Sequence, residues 1–307
     1  MRLAVDHLKR ERRIQVSPRK RLVITRLVDS PMDGRDYVLV VSSSPLHGFE
    51  NDDYSVDITQ GILKGAGKLG IPILIAHAHG FEHALPTGFL GLPLKGILLL
   101  GHFSDACLKR YVSLGVPAVL VDQPPRFKKL GSISVNNFPA AYDATRRLVE
   151  AGHRRIAFVR RVLYHLGDID PDSKERTSGY LQALKDARIS TRHRMIFNVL
   201  PEPGSPAYTM RGIFEQAPAF TAVVCADELI AAIAAREAAK YGRNVPGDLN
   251  IVCFQRLHSA GPFSGPSTDF RKLGLEACLT LASWSSPAPR VRIPCVWRES
   301  RAYLQKY

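Results

Sequence analysis

The chain has 307 residues, 45% hydrophobic and 23% charged, a globular balance with too much length for one small core and enough for two lobes. No apolar run reaches about 18 residues and the N-terminus opens with charge, so neither a membrane span nor a secretory leader is expected, and a cytoplasmic location is. The net charge of +14 invites a polyanionic partner, because cations that neutralise phosphates release condensed counterions.

Much of that charge is local. Between Met1 and Arg26 nine bases face the two acids Asp6 and Glu11. Residues 2–13 are predicted as a helix with Leu3, Ala4 and Leu8 on one side and Lys9, Arg10, Arg12 and Arg13 towards the other. Ile14-Gln-Val and Leu22-Val-Ile-Thr read as short strands flanking the basic tip Ser17-Pro-Arg-Lys-Arg21. A frayed basic tail is the plainer alternative for this stretch.

From Tyr37 the pattern becomes alternating strand and helix. Tyr37–Ser42 reads as a buried strand, Tyr54–Leu69 as a helix with Ile58, Ile62, Leu63 and Ala66 on one face, and Ile71–Ala76 as a second strand. A strand from Lys95, a helix over Ser104–Leu114 and a strand from Ala118 to Asp122 follow. Continuous apolar strands separated by helices indicate a parallel sheet covered on both faces. Ligands of such sheets sit beyond the carboxyl ends of the strands, which here end in Ser42–Ser44, Gly101-His102 and Asp122-Gln123.

The stretch Ser132–Val159 carries a helix with Ala141, Ala144, Leu148 and Val149 on one face, and then the strand Ile156–Val159. Gly152 stands where a chain leaving a helix needs φ > 0. His153, Arg154 and Arg155 lie at the carbonyl end of that helix, which favours cations. The second half repeats the plan, with a helix over Ser173–Ala187, strands at Met195–Leu200 and from Thr221 to Cys225, and an alanine-rich helix over Asp227–Tyr241. A strand from Leu249 to Phe254 comes next, and Val291–Trp297 is predicted as one closing strand.

Five cysteines, Cys107, Cys225, Cys253, Cys278 and Cys295, show no CxxC spacing and read as reduced core thiols. His77, His79 and His83 in HAHGFEH lack the spacing of a zinc site, so a solvated or cleft-lining loop is expected, with no metal and no cofactor. There is no GxSxG elbow, no P-loop and no GxGxxG after the first strand, so no enzyme is expected. Asp122 with Asp227 is the one carboxylate pair that an enzyme on this fold could use.

GVPAVLVDQ, SISVNNFPAAYDATRRLVEAGHRRIAFV, ERTSGYLQAL, TAVVCADELIAA, YGRNVPGDLNIVCF, TDFRKLG and CVWRESRA follow one another along the chain. In that order they resemble the signature segments of the effector domain of lactose/galactose-repressor (LacI/GalR) regulators. The resemblance implies a two-lobed periplasmic-binding-protein-like α/β fold, each lobe a parallel sheet flanked by helices, with a small molecule in the cleft between lobes. It places residues 36–138 and about 263–285 in the first lobe, and 139–262 and about 286–307 in the second. Residues 1–30 resemble the end of a gluconate-repressor-type (GntR) winged-helix head and its linker. Two further helices should precede such a head and are not in this sequence. The resemblance assigns DNA contact to Arg2, Lys9, Arg10, Arg12, Arg13, Arg19, Lys20 and Arg21.

Site residues carry over singly. Arg176, three residues before Gly179, matches an arginine that holds ligand hydroxyls or carboxylate. Asp227 stands where the family has asparagine, beside Glu228 where it has aspartate. Gln255 replaces an aspartate that accepts from sugar hydroxyls, and Phe270 matches an aromatic that packs on the ligand. With Ser43, Ser44, His102 and Asp122 from the strand ends, these form the expected ligand set. Asn136-Asn137 replaces the more usual Asp-Asn and is read as local structure. The expected function is a ligand-responsive transcription regulator binding a sugar or sugar derivative, with a DNA operator and a second copy of itself as partners and no membrane. A cytoplasmic sensor or solute-binding protein without DNA binding is the alternative.

Overall fold

The computed structural model describes residues 14–16, 22–24, 37–43, 53–78, 92–163, 168–169, 171–190, 195–199, 205–216, 220–257 and 262–300. Strands β1 (Ile14–Val16) and β2 (Leu22–Ile24) pair antiparallel with Gln15 opposite Val23, the hairpin expected from the sequence. The helix expected over 2–13 and the eight basic residues assigned to DNA contact lie outside the described residues.

The first lobe begins with β3 (Tyr37–Ser42), followed by helix α1 (Asp53–Leu69), β4 (Ile73–His77), β5 (Leu94–Leu100), helix α2 (Asp105–Ser113), β6 (Ala118–Val121) and β7 (Gly131–Val135). The strands lie in the order β7-β6-β5-β3-β4 with every neighbouring pair parallel. Every residue of β3 is buried, because both faces of the sheet are covered. Val38 and Val40 pack against Ile58 and Ile62 of α1, while Leu39 and Val41 face Leu108 and Tyr111 of α2. This is the period-two division of a strand between two helical layers. Leu63, expected on the inner face of α1, is instead half exposed.

Helix α3 (Asn137–Glu150) leads into the second lobe, which continues through β8 (Ile156–Leu163), β9 (Asp168–Ile169), α4 (Pro171–Asp186), β10 (Ile196–Val199), α5 (Ser205–Gln216), β11 (Ala222–Cys225), α6 (Glu228–Lys240) and β12 (Asn250–Cys253). Its parallel sheet has the order β10-β8-β11-β12, with β9 antiparallel against β8. Ala141, Ala144 and Leu148 of α3 bury against Phe158 and Tyr180 on one face. Ile230, Ala231, Ala234 and Ala238 of α6 bury on the other.

The chain then returns to the first lobe through β13 (Gln255–Arg256), β14 (Gly265–Thr268) and α7 (Phe270–Ala282), whose Leu273, Ala277 and Leu281 join the core beneath Val38 and Val40. The closing strand expected over Val291–Trp297 is two strands, β15 (Arg290–Ile293) and β16 (Val296–Arg298). Pro294 lacks the N–H that a continuing ladder needs. β15 pairs parallel with β7 at the edge of the first sheet, whereas β16 pairs antiparallel with β14. The segment from 286, expected in the second lobe, therefore starts in the first. Three strands, β13-β14-β16, make a small separate sheet where the chain crosses.

Gly152 has φ +91, as its place after α3 requires. His153 departs from the cationic role suggested by its neighbours. Asn250 Nδ2 donates to its Nε2 at 2.8 Å, and its Nδ1 contacts Thr221 Oγ1 at 2.9 Å. Burial lowers its pKa from the ordinary 6.5, so the imidazole is held neutral. The unfolded chain thus binds one more proton as pH falls from about 6.5 towards the folded value, and stability falls with it. His153→Gln is expected to flatten the slope of unfolding free energy against pH below about 6.5, measured by urea denaturation.

Among the described residues no helix is long and apolar enough to cross a membrane. The cysteines are free thiols, buried except for the half-buried Cys295.

Candidate ligand-binding cleft

Where the carboxyl ends of both sheets face one another the structure forms a half-open cavity of about 570 Å³. Six of the residues expected there line it: His102 after β5, Asp122 after β6, Arg176 on α4, Asp227 after β11, Gln255 after β12 and Phe270 at the start of α7. Ser43 is not among them. Its Oγ occupies the space over Gly101, whose φ of +96 turns the chain after β5, so the first residue of that loop packs on β5. Ser44 lies outside the described residues.

Arg176 is the most constrained of the set. Its Nε donates to Asn137 Oδ1 at 2.7 Å and its Nη1 to the Ala226 carbonyl at 2.9 Å. The guanidinium lies 4.0 Å from the centroid of the Phe254 ring. This fixes the planar fork and leaves Nη2 for the cavity. Asn137 is fully buried and also donates to Asp172 Oδ1 at 3.0 Å. Its local role thus serves the site, since it holds two cavity-lining groups at once.

Asp227 caps α6, one oxygen accepting from the Ile230 amide at 2.9 Å and the other from Arg161 Nε. An asparagine there would supply one acceptor oxygen for two tasks, which accounts for the carboxylate in this chain. Gln255 is buried, with Nε2 donating to the carbonyls of Phe263 at 3.2 Å and Gly265 at 3.4 Å, while Oε1 accepts from Arg298. A carboxylate cannot donate to two carbonyls, so the glutamine suits these partners. It meets the cavity with its amide already engaged. Asp122 adopts φ +56 and accepts from the Tyr54 hydroxyl at 2.6 Å. Tyr54 in turn meets Phe270 edge-on, with centroids 4.8 Å apart.

Sequence reasoning missed Asp53, Tyr54, Arg161, Asp172 and Arg256. Asp53 and Tyr54 were legible in principle, since a helix following the first strand's loop presents its N-terminus to the same sheet edge. Arg161 and Arg256 carry no local signal. Arg256 donates to Asp53 Oδ2 at 2.7 Å and lies 4.0 Å from Glu228, joining α1 of one lobe to α6 of the other. Arg292 of β15 and Glu175 of α4 make a second bridge between the lobes, with two contacts of 2.8 Å.

Five carboxylates, Asp53, Asp122, Asp172, Asp227 and Glu228, face three guanidiniums, Arg161, Arg176 and Arg256, a formal excess of two negative charges. Helices α1, α4, α6 and α7 all begin at the cavity. An N-terminus carries roughly +0.5 charge, so four of them offset that excess to order of magnitude. The cleft is electrically balanced and rich in hydrogen-bonding groups. That suits a neutral polyhydroxylated molecule better than an anion. His77 Nδ1 donates to the Ser42 carbonyl at 3.1 Å; His79 and His83 lie outside the described residues. Among the described residues no group of His, Cys, Asp or Glu is arranged to hold a metal.

A model of the periplasmic binding protein-like domain matches residues 145–301. The chain is 28% identical over 189 residues to the HTH-type transcriptional repressor PurR of Actinobacillus pleuropneumoniae, covering 60% of this chain and 55% of that protein. It is 29% identical over 238 residues to the HTH-type transcriptional regulator CelR of Thermobifida fusca, covering 76% and 66%. The chain thus spans roughly half to two thirds of the length of these relatives. A solved CelR–cellobiose complex superposes with a TM-score of 0.75 at 22% identity, covering 87% of this chain and 84% of that one. A LacI-family regulator of Enterococcus faecium with bound ribose superposes with a TM-score of 0.71 at 15% identity, covering 86% and 97%. These similarities concern the two lobes and give no support to a gluconate-repressor-type head.

Proposed function

The chain belongs to the periplasmic binding protein-like family as an effector domain of the LacI/GalR type, and we propose that it is the ligand-sensing part of a transcription regulator. Its effector is a neutral, hydroxyl-rich small molecule, a sugar or sugar derivative, held between the lobes by Arg176, Asp122, His102 and Phe270. The observation that carries this reading is the fixed Arg176 fork in a charge-balanced cleft. The relatives support it, since PurR and CelR are transcription regulators and two similar structures were solved with cellobiose and ribose. The reading assigns binding and no catalysis. Asp227, half of the one carboxylate pair considered for an enzyme, is spent on its helix cap and Arg161.

The protein acts in the cytoplasm as a homodimer, with the basic N-terminal segment contributing phosphate contacts to an operator. Effector binding favours one lobe arrangement, and the inter-lobe bridges Arg256–Asp53 and Arg292–Glu175 hold the lobes in the arrangement described above. Useful coupling needs about 1–3 kcal/mol of differential binding. Fluorescence anisotropy of the full-length protein on its own promoter DNA tests the regulatory claim. The expected result is an operator affinity that shifts roughly 5- to 150-fold on adding effector and falls steeply with salt. Operator affinity unmoved by a ligand that demonstrably fills the cleft would sink it.

A further inference from the structure

A second, half-open cavity of about 320 Å³, with Asn136 half-buried at its wall, lies where the chain passes between the lobes and shares no lining residue with the cleft. Every crossing contributes to it. Asn136, Pro139 and Asp143 come from the start of α3, Pro266 from β14, and Pro294, Cys295 and Trp297 from the passage between β15 and β16. Its walls are three pyrrolidine rings and an indole. These surfaces have little rotameric freedom, so the shape is preformed and flat ligands suit it. The cleft is one contact away, because Cys295 Sγ lies 3.3 Å from the hydroxyl of the cleft-lining Thr268.

The polar groups of this cavity are nearly all committed. Arg146 donates to Asp143 Oδ1 at 2.5 Å and Arg147 to Oδ2 at 2.9 Å, so the carboxylate's charge is met from within. The Arg147 guanidinium lies 4.4 Å from the centroid of the Trp297 ring, and the indole N–H donates to Glu299 at 2.6 Å. Asn136 is the exception. It is the N-cap residue of α3 yet makes no side-chain capping bond, and among the described residues its carboxamide has no hydrogen-bond partner. A carboxamide offers one donor and one acceptor side by side, the complement of an adjacent donor and acceptor on a ring edge. The volume admits one small ring system and sits at the lower end of known ligand pockets.

We propose that this cavity is a second small-molecule site, taking a planar heterocycle that presents a neighbouring donor and acceptor on one edge, as a nucleobase does. The inference does not depend on the identity of the cleft ligand. Titration of the full-length protein with adenine, followed by calorimetry and tryptophan fluorescence, tests it. Saturable binding to one site is expected. Asn136→Ala should weaken it at least about fivefold, the lower end of what a bidentate pair to a base edge is worth. 9-Methyladenine should bind as adenine does, whereas 9-methylpurine, which keeps the ring but has neither the exocyclic amine nor a ring N–H, should lose as much. The absent capping bond leaves Asn136→Ala folded, which an unchanged thermal midpoint would verify, and Arg176→Ala should leave adenine binding as it was. Absence of saturable binding up to the solubility of adenine overturns the proposal. Binding that survives Asn136→Ala and disappears with Arg176→Ala also overturns it, by moving the ligand to the cleft.

Discussion

Arg176→Ala is expected to weaken effector binding about 10- to 150-fold, the equivalent of a lost hydrogen bond to a charged group of about 1.5–3 kcal/mol. The reason is geometric. The guanidinium is oriented by Asn137, the Ala226 carbonyl and the Phe254 ring before any ligand arrives, so its remaining nitrogen meets the ligand without first being ordered. Arg176→Lys is expected to fare little better. An ammonium cannot reproduce the planar fork that serves Asn137 and Ala226 together. The substitution also leaves buried Asn137 short of a partner, so a fall in stability of about 1–3 kcal/mol should accompany it. Calorimetric titration beside urea unfolding separates the two effects. A variant that keeps wild-type affinity while losing stability would make Arg176 a structural residue only.

The second large effect is on folding, and two glycines of one helix should show it with opposite signs. Helix α1 packs along α7 so closely that a Cβ on Gly61 would collide with the backbone of Arg271 and Leu275. Gly274 on α7 meets the Ile58 backbone in the same way. Main chain cannot rotate aside as a flexible side chain can. Gly61→Ala must therefore separate two helices that share one core, at a cost of about 3 kcal/mol, the upper end for overpacking. Gly67, six residues along α1, has nothing within 4 Å of its Cβ position. Gly67→Ala should stabilise by about 0.5–1 kcal/mol through helix propensity alone. Urea unfolding of both variants checks the pair. Equal and small effects would mean that the α1–α7 contact is looser than described.

The residues differ in how far their places were legible in the sequence. Tyr37–Ser42 and Asp227–Tyr241 announced themselves because a buried parallel strand and an amphipathic helix are local patterns, and both stand within a residue of the expected bounds. Helix α5 was missed. Its buried Met210, Ile213 and Phe214 have helical spacing, but Pro206 and Gly212 break the propensity around them. β13 and β14 were missed because two- and four-residue strands have no period to read; they exist through pairing with distant segments. His153 was misread as a cation because the burial that lowers its pKa, and the Asn250 amide that donates to its Nε2 from 97 residues away, leave no signal in the local sequence.

The cleft shows the same division. His102 and Asp122 were found because topology brings strand ends to the cleft, Ser43 was not brought there because it packs over Gly101, and Arg176, Asp227, Gln255 and Phe270 came from the resemblance. The partners of those residues were not found. Nothing near Gln255 in sequence announces that Arg298 and two carbonyls take up its amide, and nothing near Asp227 points to Arg161.

The most direct measurement is the change in thermal unfolding midpoint of the full-length protein across a set of neutral saccharides and their phosphorylated counterparts, with Arg176→Ala in parallel. A ligand at 100 times its Kd stabilises by about 2.7 kcal/mol, enough for a clear shift. A charge-balanced cleft built around Arg176 predicts stabilisation by a neutral saccharide, none by its phosphate ester, and loss of the effect in Arg176→Ala. Stabilisation by the phosphorylated members alone, retained in Arg176→Ala, would contradict it.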